Sequence, residues 1–185
     1  DILDFHSSQK ENYAYLKIKS LKELIDEEFT DSYFISEHPA QDSLRFYAPD
    51  AVYHLSDNII HTSNVPVILI ADAAIYPDSG KVTILKKAEM MPLINAKIIA
   101  NTDSRFHFIY DDTVTIFTRK LYKGSGFYDY VNELGDAQKI FLKKIEVDKD
   151  GQTTGNGDIK EDADFTVSPT LDSPEKFHSL RTKNF

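Results

Sequence analysis

The chain has 185 residues, a formal net charge of −9, no cysteine and an apolar fraction of 41%, which is typical of a globular protein. The lack of thiols excludes cysteine catalysis, disulfides and cysteine-ligated zinc, and the acidic balance argues against a nucleic-acid partner. Because the chain contains no apolar run of about 18 residues, it predicts no membrane span.

The first 41 residues predict an extended segment that carries one short helix over residues 20–29. Ser20 and Glu23 have the spacing of a capping box at its N-terminus, and Leu21, Leu24 and Ile25 would share one face. The chain starts at Asp1 without a signal peptide. We therefore expect it to be a segment of a longer, processed protein, whose N-terminal part is followed by a β-rich domain over residues 42–185.

From residue 42 onward, short apolar runs alternate with turn residues at intervals of about ten, which predicts an all-β fold. The 10 Tyr and 12 Phe residues, together with many β-branched ones, suit a pleated and half-buried surface. Two strands are predicted over 105–110 and 113–118, and another over 126–131. The segment Asp148-Lys-Asp-Gly151 predicts a hairpin tip because Asp-Gly is a strong turn signal.

The run 138–147 predicts a strand with an irregularity. Ile140 and Leu142 have one parity, whereas Ile145 and Val147 have the other. A β-bulge at Lys143-Lys144 would bring all four aliphatic side chains to one buried face.

Three stretches starting at Phe46, Ile70 and Asn95 resemble one another, each with a small-residue strand, an aromatic residue, a polar turn and a β-branched strand. A period of about 25 residues indicates stacked β-hairpin units that bury their faces against one another. The predicted architecture is therefore a sandwich, a jellyroll or a β-solenoid. Exposed sheet edges would make the isolated chain prone to self-association.

Two resemblances rest on these strings. The segment Ala71-Asp-Ala-Ala-Ile-Tyr-Pro-Asp-Ser-Gly-Lys-Val-Thr-Ile84 looks like the repeat of OstA-type proteins, the β-jellyroll modules of lipopolysaccharide transport. The stretch from Asp42 to Pro169 resembles a family of very large exported envelope proteins of Bacteroidota bacteria. Strings that carry this second likeness include Asp42-Ser-Leu-Arg-Phe-Tyr-Ala-Pro49, Arg119-Lys-Leu-Tyr-Lys-Gly-Ser-Gly-Phe-Tyr-Asp-Tyr130 and Phe165-Thr-Val-Ser-Pro169. The resemblance implies export to the periplasm, outer membrane or cell surface.

The acidic residues offer one candidate metal site. Asp148 and Asp150 alternate before Gly151, as in a calcium-binding EF-hand loop, but Gly157 stands where that loop needs a bidentate glutamate. A solvated hairpin tip is the competing interpretation. We therefore predict no bound cofactor and a calcium site only in a weak form. His54 and His61 would face each other across the Asp57-Asn58 turn, but no third ligand is visible.

A dense aromatic cluster offers a candidate binding surface. Tyr122, Phe127, Tyr128 and Tyr130 lie close together in the sequence, and such side chains stack on sugars or anchor protein interfaces. Alternation places Tyr128 and Tyr130 on one face of a strand and Phe127 on the other. The competing interpretation is that the cluster belongs to the core.

No catalytic signature emerges from the sequence, since Gly124-Ser-Gly126 lacks the surroundings of a nucleophile elbow or a phosphate loop. We therefore expect a non-enzymatic β-rich module, a scaffold or accessory subunit that contacts other protein subunits of an outer-membrane or cell-envelope assembly. One alternative is an OstA-like lipid-transport bridge, which would need Val82, Ile84, Ile98 and Ile116 to line an uncovered groove. Another is a carbohydrate-binding or glycoside-hydrolysing module.

Overall fold

A computed structural model describes residues 33–101, 107–131 and 137–158 of the chain. Within these ranges the chain forms twelve β-strands and three short 3-10 turns, which confirms the predicted all-β class. The predicted helix over 20–29 lies outside the described residues, and the division at residue 42 stays a prediction. In the described part, no helix has the length and apolar character needed to cross a membrane.

The strands are numbered in chain order, with the following bounds. They are β1 (Tyr33–Ile35), β2 (Arg45–Tyr47), β3 (Asp50–His54), β4 (Ile59–Ser63), β5 (Ile68–Ile70), β6 (Ala73–Tyr76), β7 (Val82–Ile84), β8 (Leu93–Ala100), β9 (His107–Thr118), β10 (Leu121–Val131), β11 (Ala137–Val147) and β12 (Thr153–Gly157). The 3-10 turns are Pro39–Gln41, Asp78–Gly80 and Lys86–Ala88.

Three antiparallel sheets organise these strands. The largest has seven strands in the order β12-β11-β10-β9-β8-β6-β5 and curls into a half-barrel. A three-stranded sheet has the order β3-β4-β7, and β1 pairs with β2. Of the three predicted architectures, this arrangement is consistent with a sandwich-like fold.

The three similar sequence stretches occupy different places in these sheets. The first contributes the hairpin β3-β4 to the three-stranded sheet, whereas the third contributes the pair β8-β9 to the half-barrel. The middle stretch is divided, because its strand β6 joins the half-barrel and its strand β7 joins the smaller sheet. Sequence similarity here does not correspond to equivalent stacked hairpins.

The bulge predicted in β11 is confirmed. On the β12 side the register shifts between Leu142 and Lys144, and on the β10 side the partner of Gly124 is Ile145 while that of Gly126 is Leu142. The extra residue restores the inward parity. Ile140, Leu142 and Ile145 are buried, and Val147 packs against the same core.

A second bulge lies in β9, where the sequence predicted a break. Residues 105–110 and 113–118 were expected to form two strands, but the described chain forms one strand from His107 to Thr118. The register shifts past Asp111, whose φ is 52°. Because Asp111 is the inserted residue, the next side chain, Asp112, points into the core and is 0% exposed.

Hydrogen bonds across one end of the half-barrel join its two edges. Asp72, in the turn between β5 and β6, accepts from the backbone N–H of Thr153 at the start of β12, with both distances at 3.0 Å. The Thr153 hydroxyl donates to Asp72 Oδ1 at 2.5 Å, and Tyr122 lies 2.7 Å from that hydroxyl. We call Asp72, Thr153 and Tyr122 the clasp. It holds the edge strands β5 and β12 together although five strands separate them in the sheet.

Candidate binding surfaces

The candidate calcium ligands occupy the predicted hairpin tip between β11 and β12. Asp148 Oδ1 accepts from the backbone N–H groups of Asp150 and Gln152, each at 2.9 Å. The carboxylate thereby stabilises the turn itself, as aspartates at such positions do. Gly151 supplies the φ of 81° that closes the turn. Within the described ranges, no three His, Cys, Asp or Glu side chains form a group able to hold a metal ion.

The two histidines of the β3-β4 hairpin lie together as predicted. Their ring centroids are 5.2 Å apart with an interplanar angle of 82°. His61 Nδ1 also lies 3.2 Å from Thr83 Oγ1. The two rings therefore form an edge-to-face contact on an exposed face. The side chain beside them is the hydroxyl of Thr83 and not the carboxylate that a metal site would need.

Tyr122 is not a surface residue, which corrects its place among the candidate binding residues. Its side chain is 0% exposed and belongs to the main hydrophobic core. Because the Thr153 hydroxyl donates its one proton to Asp72, the Tyr122 hydroxyl is the donor to Thr153. Burial raises the pKa of Tyr122 above its ordinary value, so the phenol stays protonated and keeps the clasp intact.

Tyr128 and Tyr130 share the core-facing side of β10, as their alternation predicted. Both are partly buried and pack against the core. The Tyr128 hydroxyl lies 3.4 Å from His107 Nδ1. Burial, followed by the charges of Tyr130 and Asp129, raises the pKa of Tyr128 to about 12. These two tyrosines therefore lie on the core-facing side of the sheet, and their side chains are only partly exposed.

The opposite face of the same strands carries a second set of rings, of which one is exposed. Phe127 on β10 lies between Tyr110 on β9 and Phe141 on β11, directly opposite both in register. Its ring centroid is 6.1 Å from that of Tyr110 and 5.1 Å from that of Phe141. We call these three residues the aromatic row. Phe141 at its end is 44% exposed.

Charged side chains accompany the aromatic row. Lys139 Nζ lies 3.9 Å from the ring centroid of Phe127 and 5.0 Å from that of Tyr110, which is within cation–π range. The Tyr110 hydroxyl donates to Asp129 Oδ1 at 2.8 Å, and burial followed by this bond raises the pKa of Tyr110. Asp129 and Lys139 are partners in the β10-β11 register. The row is thus an apolar strip with one cation and one carboxylate beside it.

Sequence reasoning found Phe127 but missed Tyr110 and Phe141. The available signal was parity across neighbouring strands, since residues opposite one another in a sheet share a face. That signal depends on the register, and the bulges in β9 and β11 shift the register by one residue. Only the β11 bulge was predicted, so the three rings could not be aligned from the sequence.

A second accessible region lies on the three-stranded sheet. All five residues of β3 are exposed, and Val52, Tyr53 and the following Leu55 have exposed fractions of 59%, 52% and 80%. Beneath Tyr53 lies an open cavity of about 520 Å³, lined mainly by apolar side chains with Lys86 and Lys87 beside it. Edge position and apolar exposure together mark β3 as a contact region.

The aliphatic side chains that a lipid-transport bridge would expose are covered. Val82, Ile84, Ile98 and Ile116 are each at most 3% exposed and belong to the main core. The described residues therefore do not present these four side chains as an open groove.

Comparison with known proteins adds no relative: no known protein family matches the chain, and neither the curated proteins nor the solved structures contain a significant match.

Proposed function

We propose that the chain is a non-enzymatic, β-rich module of a large exported protein, serving as a scaffold or accessory subunit of a bacterial cell-envelope assembly. The aromatic row is the observation that carries this proposal. It gives the module a strip of aromatic rings on a sheet face, half-buried at Tyr110 and Phe127 and exposed at Phe141, where another protein subunit would dock. The cell-envelope setting is supported by the sequence resemblance to the Bacteroidota proteins alone.

Three properties of the row favour a protein partner. Its rings belong to three adjacent strands, so the sheet holds them in fixed positions and little conformational entropy is lost on contact. Aromatic residues are enriched at the energetically dominant positions of interfaces. Lys139 places a cation beside the row, which would favour a partner with an acidic residue near its apolar contact.

A carbohydrate ligand is the second candidate for the same surface. Sugars stack on aromatic rings, and their hydroxyl groups bond to neighbouring carboxylates. Phe141 supplies an exposed ring and Asp129 a carboxylate on the adjacent strand. In this alternative the module binds an envelope glycan and not a protein.

Site-specific photocrosslinking tests the docking surface. The 185-residue chain would carry a photoreactive phenylalanine analogue at Phe141 and be exposed to the solubilised envelope fraction of the source bacterium. We expect a crosslink to one defined protein, identified by mass spectrometry, and a weaker yield in a Lys139→Glu background. The same analogue at Lys149, in the exposed turn between β11 and β12, is the position control, and Lys144→Glu is the charge control.

Calorimetric titration with purified envelope oligosaccharides separates the two candidates. If the parent chain releases heat on binding a glycan, Phe141→Ala does not, and no protein crosslink forms, the ligand of the aromatic row is a glycan and not a protein. Equal crosslinking at Phe141 and Lys149, with no heat from glycans, would overturn the assignment of the aromatic row as a docking surface.

A further inference from the structure

The β3 strand is an open edge with a definite polarity. Within the described ranges it pairs with β4 alone, as the outer strand of the order β3-β4-β7. All five of its residues are exposed. Backbone N–H and C=O groups on such an edge form a template for one more strand.

The hairpin bond at the end of β3 shows which residues face the open edge. The carbonyl oxygen of His54 accepts from the Asn58 N–H at 2.9 Å, so it is turned towards the hairpin. In an antiparallel pair, successive residues turn their backbone groups to alternate sides. Val52 and Asp50 therefore face β4, and Ala51 and Tyr53 present their N–H and C=O groups to the open side.

We infer that β3 pairs with β3 of a second copy of this chain, antiparallel, about a two-fold axis at Val52. In that register Ala51 of each copy lies opposite Tyr53 of the other. Both residues present backbone groups to the open edge, so each of the two pairs exchanges two hydrogen bonds. A C2 contact of this kind is self-complementary by symmetry.

The side chains of β3 match this register. Asp50 of each copy lies opposite His54 of the other, which places a carboxylate against an imidazole twice in the interface. Asn64 Nδ2, just after β4, donates to Asp50 Oδ2 at 2.6 Å. On the other face of the strand the small side chain of Ala51 leaves room for the ring of Tyr53. Hydrogen-bonding partners and size-matched pairs stabilise directly opposed positions.

Neighbouring registers fit less well. A two-fold axis at Ala51 would set Tyr53 opposite Pro49, which has no N–H to donate. A two-fold axis at Tyr53 would set Ala51 opposite Leu55, which lies in the turn and outside β3. The axis at Val52 keeps every hydrogen-bonded pair inside the strand. Because five residues a side make a small interface, the dimer is a weak one.

Sedimentation velocity of the 185-residue chain over a range of concentrations tests the inference. We expect reversible monomer–dimer association. In Asp50→His, both pairs formed by positions 50 and 54 across the interface become His–His pairs. In His54→Asp, both become Asp–Asp pairs. Each single substitution should weaken dimerisation about 2- to 30-fold, since each opposed pair contributes about 0.2–1 kcal/mol and the dimer has two. The double substitution should restore it, whereas Asp57→His, in the adjacent turn, should leave it unchanged.

A backbone test complements the charge test. Ala51→Pro removes an N–H from the open side of β3 and leaves the bonds to β4 in place, a position where edge strands tolerate proline. We expect a folded monomer by circular dichroism and sedimentation. A chain that stays monomeric at millimolar concentration would overturn the inference. So would a dimer insensitive to Ala51→Pro, or one dissociated by Lys139→Glu, which would place the contact at the aromatic row. These outcomes do not depend on the proposed partner of that row.

Discussion

Asp112 is a buried carboxyl group without a hydrogen-bond partner for either oxygen. It occupies space that only a glycine on the next strand leaves open, because a Cβ at position 126 would lie 1.7 Å from Asp112 Oδ1. Burial, followed by the charge of Asp111, raises the pKa of Asp112 to about 8. The group is therefore mainly protonated at neutral pH, and the fold takes up a proton to form.

This uptake predicts a specific pH dependence. The folded pKa of Asp112 lies above its unfolded value of about 4, so the contribution of this group to the free energy of unfolding decreases as pH rises from about 4 to about 8. The slope approaches 1.4 kcal/mol per pH unit, the limit for one proton. Asp112→Asn cannot ionise, so the pH dependence contributed by this carboxyl group should disappear. The free energy of unfolding of the variant should exceed that of the parent chain most near pH 8. Urea unfolding between pH 5 and 8 measures both.

Asp57→Asn is the matched control for that experiment, since it makes the same chemical change in an exposed turn. It should keep the slope of the parent chain. An unchanged slope in Asp112→Asn would show that the carboxyl group is ionised in the folded state.

The clasp residue Thr153 provides a second prediction at this scale. Thr153→Val keeps the side-chain shape but removes the hydroxyl that links Tyr122 to Asp72. The buried phenol would then lack its partner, and we expect the free energy of unfolding to fall by about 1–3 kcal/mol. Denaturant titration checks it. Thr113→Val, on the exposed face of β9, should change it by less than about 0.5 kcal/mol, and equal effects would argue against the clasp.

At the scale of the strands, the two bulges show what a sequence pattern can and cannot indicate. In β11, aliphatic residues of opposite parity flank Lys143 and Lys144, so only an inserted residue could bury both pairs. In β9, the inserted residue is an aspartate followed by another aspartate. Paired acids ordinarily indicate a turn, and the burial of Asp112 depends on the space beside Gly126, a tertiary contact that no local pattern encodes.

The β11 bulge predicts a large effect of truncating Ile145. This side chain is 0% exposed in the main core, so Ile145→Ala should lower the free energy of unfolding by about 2–4 kcal/mol through lost contacts and the cavity left behind. Chemical denaturation measures it. Lys144→Ala, the adjacent exposed position, is the control. A loss below about 1 kcal/mol for Ile145→Ala would mean that the strand does not pack as described.

The β11-β12 hairpin tip leads to a prediction about metals. Asp148 already accepts two backbone hydrogen bonds, and Gly157 cannot supply a further carboxylate. We expect the melting temperature to be the same with EDTA as with added calcium. Differential scanning calorimetry decides this. A fall in EDTA that calcium reverses would identify Asp148 and Asp150 as ligands of a structural ion.

At the scale of the whole molecule, strand content and most hairpins could be predicted because they depend on local alternation and turn chemistry. Which hairpins share a sheet could not. The stretches that start at Phe46, Ile70 and Asn95 look equivalent in sequence. In the middle one, however, β6 pairs with β8 in the half-barrel and β7 pairs with β4 in the smaller sheet, and both pairings join residues far apart in the chain. The aromatic row and the clasp are likewise products of register and of sheet curvature. The open edge at β3 follows from strand order, which no single hairpin specifies.

The clasp also constrains the order in which the strands fold. It joins residues 81 positions apart, and closing so long a loop costs entropy before any contact repays it. Non-local pairing of this kind slows folding. When the chain is synthesised or exported N-terminus first, β5 becomes available before β12. The clasp cannot form until β12 is also available. During that interval both outer strands of the half-barrel would be exposed to aggregation, which is when a holding chaperone would matter most.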